Sequence, residues 1–245
     1  MFRRRPILGF TLVELLVMIG IISVLIAILL PALSAARESA KTIKCLSNLR
    51  QLATAAQIYC NTFNGSYPIA YYDSGTASYA WDFTTERGPG GAAILPGLLW
   101  LGKADTRIQQ CTSFEGSSNS TSDPYTGYNY NTSYIGHGQF ELVPKPIKQS
   151  QVRHSSTCAL FGDGEYGAGA DKYMRSPFPS TSDANLVGRH AGTQGFRHRG
   201  RTNVAFCDGH AETRGERFTA TSDPTPIAPG TGFLSVDNAT YDPIK

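Results

Sequence analysis

The chain is 245 residues long, which suffices for one domain of ordinary size with an appendage. Its formal charge of +3 is supplied by Arg3, Arg4 and Arg5, because the remaining residues comprise 19 Lys and Arg against 19 Asp and Glu. A nucleic-acid-binding protein normally carries a clustered basic surface, so we expect no nucleic-acid partner. The 25 Gly and 14 Pro residues favour short strands joined by turns over most of the chain.

An apolar run at residues 10–33 follows the three arginines and reads FTLVELLVMIGIISVLIAILLPAL. About 20 apolar residues suffice for a helix to cross a bilayer, and basic residues before it predict a cytoplasmic N-terminus. We therefore expect a single-pass membrane protein whose later residues lie outside. The alternatives are an uncleaved anchor and a secretory signal cut near Ala32-Leu33-Ser34, although such a signal has an apolar stretch of only about 7–15 residues.

Glu14 is the one charged residue inside this run. A charged side chain in the middle of a bilayer costs about 3 kcal/mol, so it indicates a function or a partner. Cleavage between Gly9 and Phe10 would create an α-ammonium group four residues before Glu14, one helical turn away. Opposite charges about 4 Å apart attract by about 4 kcal/mol at an effective dielectric constant of about 20. The same pairing between neighbouring helices would fix their axial register.

The segment LGFTLVELLV at residues 8–17 resembles the class III signal of prepilins and of type II secretion pseudopilins. The resemblance implies that prepilin peptidase cleaves after Gly9, that the new N-terminal Phe10 is methylated, and that Glu14 neutralises the N-terminus of a neighbouring subunit. Pro31 lies where this family commonly bends its helix. The implied partners are other pilin or pseudopilin subunits, held through the N-terminal helix, and the inner membrane. The C-terminal domain would lie in the periplasm or, after assembly, at the cell surface.

The helix is expected to continue as an amphipathic segment over residues 34–63, with Asn64-Gly65 as its stop. Small and apolar residues at steps of three and four predict the face that packs on a domain: Ala36, Ala40, Ile43, Leu46, Leu49, Ala53, Ala56 and Cys60. Asn48 belongs to the opposite, polar side. Pro31 leaves a second interpretation open, in which two separate helices meet at the proline.

Residues 64–245 are expected to form a β-rich extracytoplasmic domain. Together with the helix they predict an α+β fold, in which an antiparallel sheet packs on a long N-terminal helix. The candidate strands combine aromatic with β-branched or other apolar residues between turn residues. They are residues 81–83, 94–100, 128–130, 158–161 and 203–206.

An Asp-Gly pair at Asp208-Gly209 lies between two strand-like runs. This pair predicts a hairpin with a type I′ turn, in which both central residues take positive φ values. The spacing from His198 to Asp208-Gly209 also resembles the H-x9-DG motif, a C-terminal element of prepilin-like proteins. Both features place a hairpin in the last third of the chain.

The five cysteines contain no CxxC pair, so we expect no zinc knuckle: they are Cys45, Cys60, Cys111, Cys158 and Cys207. In an exported domain one or two disulfides are compatible with this count, with their pairing left open. We expect no bound metal, but two alternatives stay open. A borderline ion would use His190, His198, Asp208 and His210. Calcium would use loop oxygens of Asp163, Glu165, Asp171, Asp183 and Asp208.

No GxSxG, HExxH or glycine-rich nucleotide loop is present, so we expect a structural subunit of a type IV pilus or a type II secretion pseudopilus, not an enzyme. One alternative is a membrane-anchored module that binds a glycan or another extracellular ligand. Its stacking surface would be Tyr71, Tyr72, Tyr125, Tyr128 and Tyr130. The other alternative is a periplasmic metal hydrolase built on the histidine set named above.

Overall fold

The computed structural model describes residues 10–102, 108–118, 123–125, 127–167, 169–188 and 191–245. One helix, α1, spans Leu12–Thr62 with Pro31 inside it. The interpretation with two helices meeting at the proline is therefore wrong. The helix ends at the predicted stop, where Asn64 and Gly65 take positive φ values of 51° and 79°. The chain divides into two compact units, Met1–Ala40 and Lys41–Lys245.

The second unit contains a four-stranded antiparallel meander. Its strands are β1 (Tyr71–Ser74), β2 (Ala77–Ala80), β3 (Phe83–Gly88) and β4 (Gly91–Pro96), in the order β1-β2-β3-β4. A 3-10 turn at Leu98–Trp100 follows. The predicted strand at 94–100 is therefore wrong beyond Pro96, and the run at 81–83 enters a strand only at Phe83.

A second sheet has five strands in the order β10-β9-β6-β5-β7. They are β5 (Tyr128–Asn131), β6 (Ala159–Asp163), β7 (Tyr173–Met174), β9 (Thr202–Phe206) and β10 (Ala211–Arg214). The pair of β5 with β7 is parallel and the other pairs are antiparallel. A small sheet joins β8 (Gln194–Gly195) to β11 (Thr231–Gly232), and short helical turns occupy Thr132–Gly136 and Gln149–Gln151. The predicted strands at 128–130, 158–161 and 203–206 are confirmed to within two residues.

The second half of α1 packs on the five-stranded sheet. Leu49 and Leu52 lie in one buried cluster with Tyr130 and Phe161. The central strands β5, β6 and β9 are buried at every position, because a second apolar cluster that includes Tyr241 covers their other face. A long helix on largely antiparallel sheets confirms the predicted α+β fold.

The predicted packing face of α1 is correct only in its second half. Leu49, Ala53, Ala56 and Cys60 are buried, but Ala36, Ala40 and Ile43 are exposed. The side chains that take the inner positions instead are Cys45, Asn48 and Leu52. Asn48, placed on the polar side from the sequence, is buried because its Nδ2 donates to Tyr128 Oη at 3.2 Å.

Candidate functional site

Residues 10–33 form the apolar segment, and each of them is exposed. The large side chains leave between 47% (Met18) and 75% (Leu12) of their surface uncovered. By length and composition the helix that begins at Leu12 can cross a membrane. Apolar surface in contact with water costs about 25 cal/mol per Å², so a continuous apolar helix of this kind needs lipid or another apolar partner.

A capping box begins the helix. Thr11 Oγ1 accepts a hydrogen bond from the Glu14 amide at 3.2 Å, and Glu14 Oε2 accepts from the Thr11 amide at 2.9 Å and from its hydroxyl at 2.7 Å. The signature Thr-x-x-Glu was readable in the sequence, but the sequence analysis missed it. Glu14 therefore has a local role at the helix N-terminus, in addition to any role as a charge.

The predicted cleavage sequence is described from Phe10 onward, and Gly9 lies outside the described residues. Phe10 precedes the helix, whose first carbonyl acceptor is that of Thr11 for the Leu15 amide. The spacing expected between a new amine at Phe10 and the Glu14 carboxylate stays a prediction. Pro31 is exposed within α1.

The Asp208-Gly209 hairpin joins β9 to β10. The Gly209 amide donates to the Phe206 carbonyl at 2.9 Å and the Phe206 amide to the His210 carbonyl at 2.9 Å. Gly209 has a φ of 93°, whereas Asp208 is not among the residues with positive φ. The predicted type I′ turn is therefore wrong, and the loop has the pattern of a type I turn followed by a left-handed glycine.

His198 and Asp208 do not share a site. His198 is buried, and its Nε2 lies 3.3 Å from Asp163 Oδ2. Asp208 instead pairs with His210 at the exposed hairpin, with Oδ1 and Nδ1 2.6 Å apart. His190 lies outside the described residues. The convergence that the metal hydrolase requires is thus absent among the described members of the set.

A buried cluster of Cys45, Cys111 and His198 was not expected from the sequence. Their ligand atoms all lie within 4.8 Å of one another. The two Sγ atoms are 3.2 Å apart, and Cys111 Sγ is 3.9 Å from His198 Nε2. Separations of 66 and 87 residues along the chain hide this group from any motif search. The donor set is one that borderline metal ions accept, and its two thiols are also close enough to be joined as a disulfide by an external oxidant.

Hydrogen bonding fixes where the charge lies in this cluster. The hydrogen bond that the Cys111 thiol donates lowers the pKa of Cys45, although burial acts in the opposite direction. The same hydrogen bond raises the pKa of Cys111, the donor. Burial opposes a charge on His198, but Asp163 and Cys45 outweigh it and raise the pKa of His198 to about 9. The cluster thus favours a thiolate at Cys45 beside an imidazolium at His198.

Asp163 lies beside the cluster and pairs with both His198 and Arg197. Its carboxylate is fully buried, accepts from the Asn203 amide at 2.7 Å and lies 3.3 Å from both Arg197 Nη2 and His198 Nε2. Arg197 also donates through Nε to Cys111 Sγ at 3.3 Å and pairs with Glu165. A buried carboxylate with two cationic neighbours balances charges that would be costly alone.

The five carboxylates named for calcium are distributed over separate interactions. Asp163 and Glu165 pair with Arg197, Asp171 accepts from the Tyr173 amide at 2.8 Å, and Asp208 pairs with His210. Asp183 accepts from Ser133 Oγ at 2.5 Å and lies 3.3 Å from Arg175. Within the described ranges no three of them bring their oxygens within 4.8 Å of one another, so they do not form a shared site.

A cavity of about 570 Å³ lies in the second unit and is lined in part by Tyr71. Its charged groups are largely paired inside the protein, Lys172 with Asp82 and Asp123, and Arg175 with Glu141. The proposed stacking surface of five tyrosines is wrong in part, because Tyr128 and Tyr130 are buried. Tyr71, Tyr72 and Tyr125 are half-buried, and Tyr72 stacks on Tyr79 with ring centres 4.7 Å apart.

No protein-family model, curated protein or solved structure matches this chain.

Proposed function

We propose that the chain is a structural subunit of a type IV pilus or a type II secretion pseudopilus. Prepilin peptidase cleaves it after Gly9, Phe10 becomes the N-methylated terminus, and the N-terminal helix holds the subunit in the inner membrane and then in the filament. The observation that carries the proposal is the apolar segment of residues 10–33, exposed along its whole length, with an acid in its first turn.

Two environments can remove the surface of an exposed apolar helix from water. Lipid covers it while the subunit is in the membrane, and the apolar segments of other subunits cover it in a filament. The two environments are similarly apolar, so transfer between them costs little for the aliphatic side chains. Side-chain packing and charge pairing then decide the register of the filament.

Glu14 supplies the charge for this register. Both bonds from Thr11 use Oε2, and among the described residues none donates to Oε1. The amine of a neighbouring subunit is therefore the partner from which this oxygen would accept a hydrogen bond in a filament. An opposite charge at contact distance attracts by about 4 kcal/mol at an effective dielectric constant of about 20, which offsets the cost of placing Glu14 in an apolar environment.

Three variants separate the capping role of Glu14 from its charge. Glu14→Gln keeps an oxygen that accepts from the Thr11 amide but removes the charge, and Glu14→Val removes both. Thr11→Val removes the hydroxyl of the cap and keeps the charge. Cells expressing a tagged full-length chain are sheared and the filaments are collected. Mass spectrometry of the tagged chain, purified both from filaments and from cell membranes, determines the mature N-terminus.

We expect methylated Phe10 as the N-terminus of every variant. Incorporation into filaments should fall at least about tenfold for Glu14→Gln and Glu14→Val, since about 1.4 kcal/mol of lost pairing is already a factor of ten. Thr11→Val should assemble. Filaments of Glu14→Gln at the unmodified level would refute the register role, and an N-terminus near Ala35 or a retained arginine leader would refute the proposed processing.

A further inference from the structure

Cys45 and Cys111 form a buried contact that the proposed assembly does not use. Cys45 lies in α1 and Cys111 in the loop between β4 and β5, and their side chains are 0% and 1% exposed. Both are free thiols here, with 3.2 Å between their sulfur atoms. A small movement of either side chain would bring the sulfurs to the bonding distance of about 2.05 Å.

The guanidinium of Arg197, not the sulfur spacing, favours a sulfur–sulfur bond over a shared metal ion. Two thiolates on one tetrahedral zinc ion lie about 3.8 Å apart, since each Zn–S bond is about 2.3 Å long. Arg197, whose Nε donates to Cys111 Sγ at 3.3 Å, places a guanidinium beside the second sulfur. A cation at this position repels a metal ion but stabilises a thiolate.

We propose that Cys45 and Cys111 form a disulfide in the mature protein, which fastens α1 to the loop that precedes β5. The inference rests on the proposed function for its compartment, because disulfides persist in oxidising, extracytoplasmic surroundings. The bond would close a loop of 66 residues and hold the helix on the domain where the second unit begins.

The reaction is a thiol–disulfide exchange with the disulfide of an oxidoreductase or of glutathione. The Cys45 thiolate attacks one sulfur of that disulfide, which forms a mixed disulfide and releases the first partner thiol. The Cys111 thiolate, assisted by Arg197, then attacks Cys45 Sγ and releases the second. Two electrons and two thiol protons pass to the partner, which leaves as two thiols.

The surroundings of the five cysteines favour this pair. Cys45 is the cysteine whose pKa is lowered, through hydrogen bonding from Cys111. Burial raises the pKa of Cys60 to about 12, and hydrogen bonding to Cys207 together with burial raises the pKa of Cys158. A thiolate is the attacking species, so Cys45 reacts first. Because both sulfurs are buried in the finished fold, exchange takes place late in folding, when Cys45 and Cys111 already meet but α1 is not yet fully packed.

The first test uses the full chain in detergent, unfolded and then refolded with reduced and oxidised glutathione. Acid stops the exchange, a maleimide blocks free thiols in denaturant, and peptide mass mapping identifies linked cysteines. We expect the Cys45 and Cys111 peptides to be joined in most molecules. Cys45→Ser and Cys111→Ser should each abolish the link, while the matched control Cys60→Ser retains it.

The second test applies the same mapping to protein taken directly from cells, blocked before lysis. A linked pair in both preparations supports the proposal. A pair linked after refolding but reduced in cells shows that the two thiols can form the bond, but it counts against export, the compartment of the proposed function, and so against the bond in the mature protein. Recovery of both peptides as blocked thiols after refolding would overturn the disulfide, and so would one equivalent of zinc bound to the folded protein from cells together with recovery of both peptides as blocked thiols.

Discussion

Asp163→Asn is the substitution whose effect on stability can be worked out most fully. Asp163 is buried between Arg197, His198 and the Asn203 amide. Asparagine has nearly the same shape and still accepts one hydrogen bond, but it removes the negative charge. The variant therefore leaves two buried cationic side chains without their shared counter-charge, apart from the pairing of Arg197 with Glu165.

The expected loss is about 3–5 kcal/mol near pH 6, the usual cost of breaking a buried ion pair from one side. The cost should depend on pH, because Asp163 contributes to the raised pKa of His198. The difference between a pKa of about 9 in the folded protein and about 6.5 in the unfolded chain corresponds to about 3 kcal/mol. Since the folded value is the higher one, this stabilisation is fully present below about pH 6.5 and is lost as the pH rises through about 9.

Any effect of the neighbouring thiols on the free energy of unfolding is removed by comparing the unmodified chain with Asp163→Asn at the same pH. Cys45 and Cys111 face His198 in both proteins, so their contributions largely cancel in the difference between the unmodified chain and Asp163→Asn. That difference should shrink by up to about 3 kcal/mol between pH 6 and pH 10. In a His198→Gln background it should be nearly independent of pH.

The assay is denaturant-induced unfolding of the full chain in detergent, followed by tryptophan fluorescence. Trp81 reports on the core, because it is 2% exposed and lies 5.3 Å from the Phe161 ring. Asp208→Asn is the matched control, since it removes the exposed partner of His210 and should cost less than about 1 kcal/mol. A loss below about 1 kcal/mol for Asp163→Asn, or a loss equal at pH 6 and pH 10, would refute the reasoning.

Two further predictions use the same unfolding measurement. Leu49→Ala should cost about 2–5 kcal/mol of unfolding free energy, because Leu49 is 0% exposed where α1 packs on the sheet. The control Ile43→Ala should change it by less than about 0.5 kcal/mol, because Ile43 is 68% exposed. Equal effects of the two substitutions would contradict the packing of α1. Gly209→Ala should cost about 1 kcal/mol, since Gly209 has a φ of 93°, whereas Gly215 has no positive φ and Gly215→Ala should be nearly neutral. A neutral Gly209→Ala would contradict the left-handed turn position.

Parts of the candidate site were readable from sequence because their chemistry is local. The apolar segment, its single acid and the glycine stop of the helix depend on residues a few positions apart. The Thr11–Glu14 capping box is local too, and its signature was present but overlooked. The Asp208-Gly209 hairpin was located correctly, but its turn type was not, since the third loop position alone takes the positive φ.

The sequence by itself determined the apolar helical segment, the end of the helix at Asn64-Gly65 and the central strands of the domain, because helical periodicity and strand composition act over short distances. That the helix continues through Pro31 was decided by the structure. Only the tertiary structure decided which face of α1 is buried. That face begins at Cys45. It includes Asn48 because the hydroxyl of Tyr128, on strand β5, accepts a hydrogen bond from the Asn48 side chain.

The tertiary structure alone also brought Cys45, Cys111 and His198 within 4.8 Å of one another and placed Asp163 beside them. These residues lie on a helix, a loop and two regions of the sheet domain. Contacts across such separations depend on how the elements pack. No spacing along the chain encodes that packing, so neither the thiol pair nor its counter-charges could be predicted before the fold was known.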